Sequence, residues 1–194
     1  MNRVVAVVGL TGSGKTEIGH IFEQHGYGFI RFGQVVLDEV MRRKLEVNEQ
    51  NERMVREDLR RQHGMAAMAI LLMPKIDDML LSGNVVADGL YSWSEYKVLK
   101  DRYLDNIIVL AVYASPKTRY ARLTSDKRKY DPLKDKNAVY RSYTFEEARS
   151  RDYSEIEKIE KAGPIAMADY TIINEGTIDE LAKSVEGVIK KIEK

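Results

Sequence analysis

The chain has 194 residues, enough for one domain with a buried core. Lys and Arg total 31 against 30 Asp and Glu, so no overall basic field attracts nucleic acid, and any positive region is local. Cysteine is absent, which excludes a disulfide framework, a thiolate metal site and a cysteine nucleophile; the three histidines (His20, His25, His63) have no metal-ligand spacing.

The β-branched run Arg3–Val8 reads as a strand buried on both faces. Glycines follow it at once, unlike a secretory leader, and the apolar run Met65–Met73 stops at Pro74, too short to span a bilayer. A cytoplasmic chain with no membrane partner is the expectation. Gly14–Gln24 predicts a helix, stopped at His25-Gly26, and Gly28–Phe32 a short second strand. From Gln34 to about Leu81 the pattern is helical, with breaks at Val47-Asn48 and His63-Gly64 and a kink or split at Pro74.

Asn84–Ala87 predicts a third strand ending on Asp88-Gly89, and Asn106–Ala114 a fourth. Ser115 and Pro116 open the next helix as N-cap and first residue. From about 126 to 143 periodicity disappears and Lys127, Arg128, Lys129, Lys134, Lys136 and Arg141 crowd the chain, the mark of a functional loop such as a lid. Thr144 and Glu147 predict a capped helix behind it. Tyr170–Ile173 reads as the fifth strand, and Thr177 with Glu180 caps a last helix whose apolar face runs from Ile178 to Ile192. Short apolar runs alternating with helices imply an α/β fold around a parallel sheet.

Gly9-Leu10-Thr11-Gly12-Ser13-Gly14-Lys15-Thr16 fits G-x-x-x-x-G-K-[ST] without a mismatch, and it lies between a buried strand and a helix as the mechanism requires. Such a loop turns successive N–H groups inward around phosphate oxygens, with the helix N-terminus aimed at the same point. Gly9, Thr11, Gly12, Ser13 and Gly14 are thus expected to cradle ATP, with Lys15 on the β- and γ-phosphates and the Thr16 hydroxyl on magnesium.

No Asn-Lys-x-Asp segment follows, which sets the chain apart from GTPases, and Asp88 stands alone where a motor ATPase carries an acidic pair. By its residues alone, Asp88 is a magnesium ligand, a weak base toward an acceptor hydroxyl, or an ordinary Asp-Gly turn. Arg119 and Arg122 share a helix face before the lid, and Arg149 and Arg151 lie behind it. As a cluster, Arg119, Arg122 and Arg151 are candidates to compensate charge on a moving phosphoryl group; singly, each also fits a surface pair such as Arg151 with Glu155. Met65, Met68, Met73 and Met79 read as a core stripe, and Trp93 either caps the site mouth or anchors its helix.

Four stretches together resemble the nucleoside monophosphate kinase superfamily, which includes adenylate kinase and dephospho-coenzyme A kinase. They are the phosphate loop, Phe32–Leu37, Val85–Gly89, and Ala168–Gly176 with its A-D-x-x-I-x-N-x-G pattern. Arg151-Asp152 with Glu155 is similar to archaeal relatives of those enzymes. The resemblance covers nearly the whole chain. It implies a three-layer α/β/α phosphate-loop kinase fold with five parallel strands in the order 2-3-1-4-5. The single domain 1–194 would carry a helical acceptor-binding region at about 33–82 and a lid at about 126–143. It also implies a functional Asp88, and places Asn174 and Gly176 against the adenine of ATP. Gln34 and Leu37 depart from that pattern, standing where related kinases carry an acid and a phosphate-gripping arginine. Gln34, Arg42 and Arg60 are therefore the acceptor-binding candidates. The expected activity is phosphoryl transfer to a small nucleotide-like acceptor, with dephospho-coenzyme A kinase or a kinase-derived regulatory ATPase as alternatives.

Overall fold

The computed structural model describes residues 2–125 and 143–193. All but the last residue of the expected lid lies outside the described residues.

Strand β1 (Val4–Val8) is wholly buried, and its side chains alternate between two cores. Val4, Ala6 and Val8 enter one and Val5 and Val7 the other, the period of two that a central strand requires. Helix α1 (Lys15–Gln24) follows the phosphate loop, then β2 (Gly28–Arg31) and α2 (Phe32–Arg42). Phe32, expected to end the strand, instead begins the helix and is buried. Helix α3 (Glu49–His63) is capped by Asn48, whose side chain accepts from Asn51 N–H at 2.9 Å, and stops at Gly64 with φ 78°.

Helix α4 (Ala67–Leu80) runs through Pro74, so the expected split does not occur. The ring costs the Ile70 carbonyl its hydrogen bond, but Ile70 and Pro74 both lie at exposed positions where water replaces it. Strand β3 (Val85–Asp88) leads to α5 (Trp93–Tyr103), β4 (Ile107–Tyr113) and α6 (Pro116–Thr124). Helices α7 (Phe145–Glu157) and α8 (Ala162–Ala166), strand β5 (Tyr170–Ile173) and α9 (Ile178–Ile192) complete the order. Ser115, Thr144 and Thr177 cap α6, α7 and α9 as the sequence predicts. Trp93 stacks on Tyr96 at 4.9 Å between ring centroids and packs against Gly163, the anchoring role. Of the methionine stripe, Met68 is buried and Met73 and Met79 pack on the core, whereas Met65 is exposed.

The five strands form one parallel sheet in the order β2-β3-β1-β4-β5. α1 and α9 cover one face through Ile18, Phe22, Leu181 and Val185. α2 to α5 cover the other through Val36, Val55, Leu72 and Leu99. This three-layer α/β/α arrangement brings the carboxyl ends of all strands to one edge, where the phosphate loop, Asp88 and Asn174 meet. No helix among the described residues is long and apolar enough to cross a membrane.

Candidate active site

The phosphate loop turns on Gly12 and Gly14, with φ of 83° and 101°, angles that an L side chain rarely adopts. Gly14 also has no room for one, since a Cβ there would stand 2.3 Å from Asn174 Nδ2. α1 begins at Lys15 with no side-chain cap, so its first N–H groups are left for a ligand in the loop. Lys15 Nζ donates to the Leu10 carbonyl at 3.2 Å. Burial, and next the charge of Lys161, bring its ammonium down to about 7, so an arriving anion would restore its charge.

Pairing of β1 with β3 sets Asp88 beside Val7, immediately before the loop. Its Oδ2 accepts from the Thr16 hydroxyl at 2.9 Å and lies 3.8 Å from Arg31 Nε. Its Oδ1 is buried without a hydrogen-bond partner. A hydroxyl and a half-satisfied carboxylate beside a phosphate cradle fit magnesium, which takes few protein ligands and completes its shell with phosphate and water.

Helix α7 reaches the loop from the other side. Glu155 accepts from the Thr11 hydroxyl at 2.6 Å, from Thr11 N–H at 3.3 Å, from Arg151 Nε at 3.1 Å and from Lys161 Nζ at 2.9 Å. Lys161 is fully buried, with its ammonium 4.7 Å from the centre of the Tyr91 ring. Although burial opposes it, the neighbouring cations hold the Glu155 carboxyl far below the usual carboxylate range. Arg151 also donates to Tyr143 Oη at 2.6 Å. Arg151 with Glu155 is therefore no surface pair.

Arg119 is buried and fully engaged. It makes a two-pronged pair with Asp152 at 2.6 and 2.5 Å and donates to the carbonyls of Ala114 and Thr11. Its geometry braces the loop, and four of its five N–H donors are spent on protein partners. Arg122 lines the cavity, with Nη2 3.4 Å from Asn174 Oδ1 and a buried, unpartnered Nη1. Asn174 donates to the Ser13 carbonyl at 2.8 Å, so its side chain ties the β5–α9 loop to the phosphate loop. Glu175 holds the same loop onto Ser115 and Thr118, and Gly176 lines the cavity.

Donor and acceptor candidates share a cavity of about 1370 Å³. Lys15, Thr16, Asp88, Arg122, Arg151 and Asn174 line it together with Gln34, Leu37 and Arg60. Arg42 does not line it, because Glu39 holds its guanidinium at 2.6 and 2.7 Å on the outer face of α2. Gln34 donates to Asp38 Oδ1 at 2.7 Å. Sequence reasoning missed Arg31, Arg56 and Tyr91 in the lining and Lys161 behind it. The spacing of Arg56 and Arg60, four apart on a helix, offered a signal for one of them. Nothing local marks Lys161.

A family model described as an AAA domain (AAA_17) matches residues 8–140. The chain is 32% identical over 191 residues to UPF0200 protein TK1334 of Thermococcus kodakarensis, covering 97% of each chain. It is 34% identical to a UPF0200 protein of Thermococcus gammatolerans, covering 97% of this chain and 95% of that one. Its fold is similar to the crystal structure of a gluconokinase from Sinorhizobium meliloti 1021, with TM-score 0.57 at 15% identity, covering 98% of this chain and 93% of that one. It is similar also to a shikimate kinase from Bacteroides thetaiotaomicron, with TM-score 0.56 at 15% identity, covering 97% and 98%. The loop, the Asp88 edge and the parallel sheet are those of a P-loop kinase fold, and the chain belongs to the UPF0200 family of archaeal proteins, carrying the AAA_17 domain.

Proposed function

We propose that this protein is an ATP- and magnesium-dependent kinase for a small, nucleotide-like acceptor. The observation that carries the reading is one cavity lined both by the phosphate loop and by Gln34 and Arg60. Donor and acceptor can meet there without a nucleic acid or membrane surface. The loop N–H groups and Lys15 hold the donor phosphates, and the Asn174–Gly176 loop lies against the base. Thr16 and Asp88 would hold magnesium, which supplies compensation for charge on the phosphate oxygens. Arg122 and Arg151 add positive charge on the donor side, while Arg119 supports the loop through the Thr11 carbonyl. The acceptor oxygen bonds to the γ-phosphorus as the bond from that phosphorus to ADP breaks, a transfer that depends mainly on positioning.

Dephospho-coenzyme A is a second acceptor of the same class. A regulatory ATPase is the reading of another class, favoured by Gln34 and Leu37, which line the cavity and supply neither a base nor a compensating charge. The test is ADP release across nucleoside monophosphates and dephospho-coenzyme A, with Lys15→Ala as control. One acceptor that stimulates turnover strongly, with loss in the variant, supports the kinase. ATP binding with no stimulation by any acceptor would favour the regulatory reading.

A further inference from the structure

Among the described residues, Arg56 and Arg60 are the two arginines whose side chains make neither a hydrogen bond nor an ion pair. Both line the cavity, one turn apart on α3. Arg60 Nε is buried and unpartnered, and burial and the nearby Arg56 charge lower the guanidinium's affinity for its proton. An unpaired, half-buried guanidinium beside a like charge is unfavourable until an anion arrives. Glu95, buried behind, attracts Arg60 through space without reaching ion-pair distance. Its own Oε1 is also unpartnered, so no hydrogen bond to Glu95 satisfies Arg60.

We propose that Arg56 and Arg60 bind a phosphate monoester on the acceptor, while Val36, Leu37 and Met68 contact its apolar body. This rests on the kinase reading above and assigns the chemistry of its acceptor side. Two guanidiniums carry the charge to match a phosphate dianion, whereas a carboxylate is satisfied by one fork. Leu37, lining the same cavity, is then an apolar contact, and the grip on the anion lies one helix further along the chain.

The experiment uses the whole protein with magnesium and a non-hydrolysable ATP analogue in the phosphate loop, so that added inorganic phosphate reports the other side of the cavity. Phosphorus NMR titration is expected to show saturable binding, weakened about tenfold or more in Arg56→Gln and Arg60→Gln. Binding is retained in part in Arg60→Lys and unchanged in Arg61→Gln, which lies outside the cavity. ATP-analogue affinity stays the same in all four and the thermal midpoint falls in none, with Arg60→Gln expected to raise it if anything, separating the effect from misfolding. In the acceptor screen, nucleoside monophosphates are paired with their nucleosides and with hydroxy acids. A phosphorylated monophosphate whose KM rises about tenfold in Arg56→Gln and Arg60→Gln, with kcat little changed, supports the assignment. A phosphorylated hydroxy acid or nucleoside with unchanged KM in the variants would overturn it while leaving the kinase reading intact. Phosphate binding lost in the variants, with no acceptor turned over, would keep the assignment and sink the kinase reading. Equal phosphate binding in wild type and variants overturns the assignment outright.

Discussion

Thr11 and Glu155, 144 residues apart in the chain, are joined twice: the Thr11 hydroxyl donates to Glu155 Oε1 and its backbone N–H to Oε2. These two bonds tie the phosphate loop directly to α7. Glu155→Ala leaves the buried Lys161 ammonium without its anion, a loss expected to destabilise the fold by about 3–5 kcal/mol. Urea unfolding measures it. Thr11→Val keeps the N–H bond and the ion pair, and is expected to cost only about 1 kcal/mol.

Asp88→Asn separates metal binding from folding. The amide oxygen still accepts from Thr16, so the thermal midpoint is expected to hold. Metal-dependent ADP release should fall on the order of 10²-fold, the scale of a lost metal contribution. The magnesium concentration for half-maximal rate should rise with it. Lys15→Ala, by contrast, is expected to lose binding of the ATP analogue itself.

The Arg119–Asp152 pair is buried and two-pronged. Asp152→Ala strands the guanidinium and should destabilise by about 3–5 kcal/mol, whereas the double change Arg119→Met, Asp152→Leu recovers much of the loss. Denaturant midpoints of the two proteins decide it. If the single and double variants unfold alike, Arg119 has another use that this pairing does not explain.

Glu95 gives the fold a pH dependence. Burial raises its carboxyl from the ordinary 4.5 to about 7, against the opposing pull of Tyr91 and Ser92 N–H, Arg60 and Lys161. The folded chain keeps this proton where the unfolded chain has lost it. Its contribution to stability is present below about pH 4.5 and is lost as pH rises through about 7. Glu95→Gln keeps an acceptor for the Tyr91 and Ser92 N–H groups and removes the titration. The fall in unfolding free energy between those pH values should be shallower in the variant.

Gly14→Ala forces a side chain into a left-handed angle and against Asn174. ATP-analogue binding is expected to be lost. Adding Asn174→Ala relieves the contact but not the backbone angle, so binding should return only in part. Calorimetric titration of the single and double variants measures both terms.

Local chemistry made much of this protein legible in advance. Phosphate-loop glycines, capping boxes and buried β-branched runs act within a few residues, and the loop, the caps at Ser115, Thr144 and Thr177, and the strands followed from them. The strand order was expected from the resemblance of four stretches in sequence, and the sheet has that order. Of the kink or split expected at Pro74, the split does not occur: the helix is continuous, and the carbonyl freed by the ring is at an exposed position.

The residues of the sequence were enough for the donor half, because its chemistry lies in one contiguous loop, Gly9 to Thr16. Tertiary structure alone decided which arginines face the cavity and which are spent on partners. Arg119 meets Asp152 and Arg42 is turned outward by Glu39, while Arg56 and Arg60 are left unpaired in the cavity wall. Lys161 becomes a buried partner of Glu155 only when α7 packs on the phosphate loop. A charged side chain has no role of its own in sequence; its role is set by which opposite charge folding brings within reach, and how much water is excluded when it does.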